Sequence, residues 1–130
     1  MHTILLVEDN ELLRKALCKT LAATGGFKVI EAGNGREARQ LMETQAIDLV
    51  ITDVIMPEEE GVETILRIRK QRASLPIIAM SGGARLTAEN CLELAQAAGA
   101  DLTLGKPFTA EQMLTAIRQL LCKAGQAIPG

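Results

Sequence analysis

Short apolar runs and stretches of helical period alternate along the chain. Ile4-Leu5-Leu6-Val7, Leu49-Val50-Ile51 and Pro76-Ile77-Ile78-Ala79-Met80 are near-continuous in apolar character and too short for helices. Such runs read as strands buried on both faces, where no alternation with polar residues survives. Phe27-Lys28-Val29-Ile30-Glu31-Ala32 is more mixed and belongs nearer a sheet edge, and Leu102-Thr103-Leu104 is a short fifth strand. Between the strands the spacing changes to that of helices. Leu13, Ala16, Leu17 and Leu21 form one apolar stripe, Ala38, Leu41 and Met42 a second, and Val62, Ile65 and Leu66 a third. Ala88, Cys91, Ala95 and Ala98 mark a fourth helix over residues 87–98, and Met113, Ala116, Ile117, Leu120 and Leu121 a last one.

The punctuation agrees with this division. Asn10 caps the first helix and Gly25-Gly26 ends it; Asn34 with Glu37, and Thr109 with Gln112, have the spacing of capping pairs. Arg67, Arg69, Lys70 and Arg72 point largely outward from the third helix, and a solvated face is favoured over a binding patch. Strand and helix alternate five times, which predicts a parallel sheet covered by helices on both faces, a doubly wound α/β fold with right-handed crossovers. One domain over residues 1–122 and a short tail over residues 123–130 account for the whole length.

Composition removes several classes of function. A net charge of −2 creates no field for nucleic acid or an anionic membrane. The only aromatic residues are Phe27 and Phe108, too few to stack bases. Cys18, Cys91 and Cys122 have no metal-ligand spacing and read as reduced, buried or half-buried thiols, which fits the cytoplasm. The single histidine, His2, is next to the initiator, so a histidine general base is nearly excluded. No stretch has the length of a membrane span, and the first residues lack the basic lead of a signal peptide.

Chemistry enters where strands end. In a parallel sheet the residues just past each strand gather on one edge, the edge where open α/β sheets bind ligands. Here those residues are Glu8 and Asp9 after strand one, Asp53 after strand three, Ser81 after strand four and Lys106 after strand five. Alone, Asp53 would be read as a turn or cap residue. Three carboxylates, a hydroxyl and an ammonium on one edge are not what independent turn residues produce. Two carboxylates ~4 Å apart repel by about 1 kcal/mol in water and about 4 kcal/mol at an effective dielectric near 20. Three require a cation, a raised pKa, or both. An all-oxygen ligand set with open positions favours Mg²⁺. A metal, a lysine and a hydroxyl around one carboxylate suit phosphoryl transfer to that carboxylate, with Asp53 attacking phosphorus and Lys106, Mg²⁺ and Ser81 meeting the phosphoryl oxygens.

The set Glu8-Asp9, Asp53-x-x-Met56-Pro57-x-x-x-Gly61, Ser81-Gly82 and Lys106-Pro107-Phe108 resembles the receiver domain of two-component response regulators, in order and spacing, from residue 3 to about 122. The resemblance implies a flavodoxin-like (βα)5 three-layer sandwich with strand order 2-1-3-4-5. It implies that Asp53 accepts a phosphoryl group from a sensor histidine kinase or histidine phosphotransfer protein and switches the binding of a downstream protein target or output domain. Asp9, Asp53 and the backbone carbonyl of Ile55 would ligate Mg²⁺ directly, Glu8 through a water, and Lys106-Pro107 would be a cis peptide. On this reading the chain is a phosphoacceptor and not an enzyme, contacts neither nucleic acid nor membrane, and dimerises, if at all, on phosphorylation.

Two departures from the family pattern bear on the output and lifetime of such a switch. Thr103 stands where receivers usually carry Tyr or Phe, so the usual inward swing of a ring is not available. Ile55 and Gly83 occupy positions that tune dephosphorylation, and neither side chain can position a water, which predicts a phosphoryl group that is not rapidly self-hydrolysed. Two alternatives remain. A Mg²⁺-dependent aspartate-nucleophile phosphatase would need a second aspartate where Ile55 stands; an unphosphorylated scaffold would not need the complete acid, serine and lysine set. Whether the chain acts alone or belongs to a longer regulator or hybrid kinase stays open.

Overall fold

The computed structural model describes residues 2–54, 61–81, 96 and 99–123. Five parallel strands form one sheet: β1 (Thr3–Val7), β2 (Lys28–Ala32), β3 (Leu49–Asp53), β4 (Ile77–Ser81) and β5 (Leu102–Gly105), in the order β2-β1-β3-β4-β5. Four helices are described: α1 (Glu11–Gly25), α2 (Gly35–Thr44), α3 (Gly61–Gln71) and α4 (Ala110–Lys123). Of the helix expected over residues 87–98 only Gln96 is described, and it is helical; the tail from 124 onward lies outside the described residues. The strand order and the doubly wound architecture match the expectation.

Alternate residues of each central strand serve opposite layers, which is why polar alternation is missing from their sequence. Leu5, Val7, Val50, Ile77 and Ala79 pack with Ala38, Met42, Ile65 and Ile68 of α2 and α3. Ile4, Leu6, Leu49, Ile51, Ile78 and Met80 pack on the other face with Leu17 and Leu21 of α1 and Met113, Ile117, Leu120 and Leu121 of α4. β2 is an edge strand, in accord with its mixed composition. The predicted caps form: Asn10 Oδ1 accepts from the Leu13 N–H at 3.1 Å, Asn34 Oδ1 from Glu37 at 2.9 Å, and Thr109 and Gln112 bond reciprocally at 2.8 and 3.0 Å. Gly26 ends α1 at φ 69°, a left-handed conformation that glycine adopts without penalty.

Four expectations need correction. Leu66 is 49% exposed. The inward stripe of α3 is Ile65 and Ile68, and the residue after Ile65 is turned by about 100° from it. Ala16 is exposed for the same reason, since α1 buries Leu17 and Leu21. Cys122 is exposed near the end of α4, whereas Cys18 is half-buried; Cys91 lies outside the described residues.

Arg69, read as outward, instead ties three chain segments together. Its guanidinium donates to the carbonyls of Gly99 (2.6 Å), Ala73 (2.7 Å) and Leu75 (2.8 Å), and to Asp101 Oδ2 (2.9 Å). The same Asp101 oxygen accepts the N–H of Ile77 at 2.8 Å, at the start of β4. Gly99 has φ 120° and lies against the Arg69 stem, where an added Cβ would come within 3.2 Å of Nε. Arg69→Met keeps the stem and removes every donor. We predict a loss of about 2–4 kcal/mol of stability, read as a lower urea midpoint at unchanged slope.

Candidate functional site

Parallel strands in register bring their carboxyl ends to one edge. Val7 pairs with Thr52, Asp53 with Met80, and Ser81 with Gly105. Glu8 follows directly on β1, Asp53 is the last residue of β3, and Lys106 follows β5. The ladder continues one step beyond β3, where the Val54 N–H reaches the Met80 carbonyl at 2.9 Å, so the backbone around Asp53 is held on that side.

Lys106 Nζ lies 2.7 Å from Glu8 Oε1 and 3.1 Å from Asp53 Oδ2. Glu8 is buried at 1% exposure and Asp53 at 6%, while Asp9 is exposed. One carboxylate oxygen from each of Glu8, Asp9 and Asp53 lies within 4.8 Å of the others. An ammonium between two buried carboxylates offsets part of their repulsion. The Asn10 N–H adds a bond to Glu8 Oε2 at 3.3 Å. Burial pushes the Glu8 carboxyl up; the bond to Lys106 draws it partly back, and the charge of Asp53 with hydrogen bonds to Asp9 and Asp53 raises it again. The result is about 7 against an ordinary 4.5. Burial alone would lower Lys106. The hydrogen bond to Glu8, the charges of Asp53 and Glu8, and the bond to Asp53 outweigh it, and the ammonium is held above its ordinary value.

The donor set fits a hard divalent cation: three carboxylates, no sulfur or imidazole, two members buried and one open to water. Of the residues expected at the site, Glu8, Asp9, Asp53 and Lys106 come together. Ser81 ends β4 beside them, with its side chain outside the described residues, as is Ile55 altogether. Thr103, half-buried in β5, pairs with Ala79. Lys106-Pro107 is cis, as the resemblance implies.

Two contacts escaped sequence reasoning. Asn10 reads as a cap through its side chain, yet its backbone N–H also holds Glu8. Arg14 Nη1 donates to the Glu8 carbonyl at 2.9 Å. Its only signal in the sequence is a cation one turn inside α1, beside the apolar stripe.

A parallel doubly wound sheet carries three carboxylates and an ammonium at its carboxyl edge, the edge at which open α/β sheets bind ligands. The response regulator receiver domain family matches residues 4–118. The chain belongs to that family, which places it in two-component phosphorelay signalling. The transcriptional regulatory protein CpxR of Escherichia coli K12 is 36% identical over 121 residues, covering 93% of this chain and 50% of CpxR. A protein-glutamate methylesterase/protein-glutamine glutaminase of Treponema denticola is 36% identical over 126 residues, covering 92% of this chain and 32% of that protein. The chain thus spans a third to a half of these relatives. A response regulator receiver domain protein from Clostridium thermocellum superposes with a TM-score of 0.87 at 27% identity, covering 96% of this chain and 98% of that one. The response regulator TrrA of Thermotoga maritima, in complex with Mg²⁺-BeF, superposes at 0.79 with 28% identity, over 93% of this chain and 100% of its own.

Between the ordinary carboxylate value and about 7, folded Glu8 keeps a proton that the unfolded chain has released. In chelator, stability therefore falls as pH rises through that window, by on the order of 2–3 kcal/mol. Urea midpoints between pH 5 and 8 will show the decline, and Glu8→Gln will flatten it. A native midpoint that rises with pH over this range would contradict the assignment.

Proposed function

We propose that the chain is a phosphoacceptor module: Asp53 takes a phosphoryl group from a phosphohistidine donor, and the phosphorylated form alters its binding to a protein target or output domain. The observation that carries this reading is Lys106 between Glu8 and Asp53, at 2.7 and 3.1 Å, at the carboxyl edge of the sheet. A carboxylate that is only a turn or cap residue has no need of an ammonium and two further carboxylates.

Asp9 and Asp53, with the Ile55 carbonyl, would hold Mg²⁺ directly, and Glu8 would do so through a water. Bound there, the ion supplies neutralisation of negative charge as a phosphate approaches three carboxylates. The Asp53 carboxylate oxygen forms a bond to phosphorus as the donor's N–P bond breaks, and the bonding pair returns to the imidazole nitrogen. Lys106 stays cationic, since its ammonium is held above its ordinary pKa, and it turns from the two carboxylates to a phosphoryl oxygen. The Ser81 hydroxyl donates to another phosphoryl oxygen. The complex of TrrA with Mg²⁺-BeF, on a receiver of the same fold, supports this reading of the acidic cluster.

Ile55 and Gly83 bring no side chain able to orient a water, so the acyl phosphate should outlast those of fast self-hydrolysing receivers. With Thr103 in β5, the output change does not include burial of a ring at that position. The donor is a sensor kinase or phosphotransfer protein. CpxR is a transcriptional regulator, but this chain covers half of it, and the direct contact proposed for this segment is with protein. The proposed site is cytoplasmic; among the described residues no helix is long and apolar enough to cross a membrane.

Incubation with Mg²⁺ and acetyl phosphate should give a phosphate-dependent gel shift. Asp53→Asn and chelation should each abolish it, and Lys106→Met should reduce it at least tenfold. A shift that survives in Asp53→Asn overturns the reading.

A further inference from the structure

The contact between Arg14 and the Glu8 carbonyl lies outside the carboxylate cluster, yet it acts on the backbone that carries it. Arg14 starts from the first turns of α1, and its side chain runs back toward the helix N-terminus, as helical side chains do. Nη1 donates to the Glu8 carbonyl at 2.9 Å, and Nε donates to Glu31 Oε1 at 3.1 Å. Glu31 belongs to β2, where it pairs with Leu6 of β1. Its second oxygen accepts from Lys15 Nζ at 3.3 Å. Burial would raise the Glu31 carboxyl, but bonds to Lys15 and Arg14 and their charges hold it below its ordinary value. Glu31 is therefore ionised at neutral pH and fixes the plane of the guanidinium. An arginine side chain is suited to this task because its fork makes two bonds in defined directions.

The carbonyl that Arg14 grips belongs to the peptide joining Glu8 to Asp9. A peptide unit is planar and stiff, so its direction sets ψ of Glu8 and φ of Asp9 together. Those two angles decide how the neighbouring carboxylates leave the backbone. On the other side of Glu8, its N–H is already bonded to the Ala32 carbonyl at 3.0 Å. Glu8 also has Lys106 and the Asn10 N–H to hold its side chain. Asp9 is exposed, and the peptide before it is where it can be steadied.

We infer that Arg14, oriented by Glu31, is a positioning residue for the cation site: it fixes the Glu8–Asp9 peptide so that both carboxylates face Asp53 before any ion arrives. This rests on the reading of Glu8, Asp9 and Asp53 as a Mg²⁺ site. It adds two residues, one on α1 and one on β2, that touch neither cation nor phosphate. Partners behind metal ligands typically change affinity by about 10- to 100-fold.

Calorimetric titration of the full chain with MgCl₂, paired with thermal melting in chelator, tests the inference. Arg14→Met should weaken Mg²⁺ binding about tenfold or more, and Glu31→Met should weaken it by a smaller factor. Arg14→Lys should recover only part of the loss, because an ammonium cannot grip the carbonyl and Glu31 in the same fork. The double variant should bind no worse than Arg14→Met, since the two act through one contact. A lower melting midpoint with native Mg²⁺ affinity in both single variants would make Arg14 merely structural and overturn the inference. If Arg14→Met does not fold, native affinity in Glu31→Met overturns it alone. A native chain that does not bind Mg²⁺, or an Asp9→Asn variant that titrates like it, would sink the site reading and the inference together. Tight binding by the native chain with unchanged Arg14 and Glu31 variants would sink only the inference.

Discussion

Two carboxylates buried within reach of one ammonium are the constraint on which this molecule turns. Asp53 ends one strand, Glu8 follows directly on a second and Lys106 on a third. Nothing local in the sequence brings them together; the parallel sheet does, by ending β1, β3 and β5 on the same edge. Buried charges without partners are strongly unfavourable, so the arrangement persists only because each charge faces another. Burying charge costs solvation, and the two apolar layers around the sheet fix the strands whose ends carry these groups.

That division of labour explains what was legible in the sequence. Strands buried on both faces announce themselves as continuous apolar runs, and Asn10, Asn34 and Thr109 marked three helix starts correctly. The order of strand ends alone puts Glu8, Asp9, Asp53 and Lys106 on one edge. Periodicity was less reliable at the margins of a stripe. Leu66 and Ala16 each stand next to a buried residue, and one step along a helix turns a side chain away from the core.

The polar contacts that the sequence does not reveal have something in common. Arg69 and Arg14 are cations on helices, yet each donates to backbone carbonyls outside its own helix. Such contacts depend on where a distant carbonyl ends up, and no local pattern encodes that. The same blindness applies to Asn10, whose side chain is a predictable cap while its N–H serves Glu8. Arginine is the residue to inspect first in such folds, because its long stem and five donors let it close gaps between elements.

Family membership supplies the setting of the chemistry, and the local geometry supplies its candidate residue. The account stands or falls on which oxygen takes the phosphoryl group. Borohydride reduction of the phosphorylated chain converts an aspartyl phosphate to homoserine, and peptide mass spectrometry then locates it. The account predicts homoserine at position 53 and an unmodified Asp9. Homoserine at position 9, or phosphate on no aspartate, would contradict it.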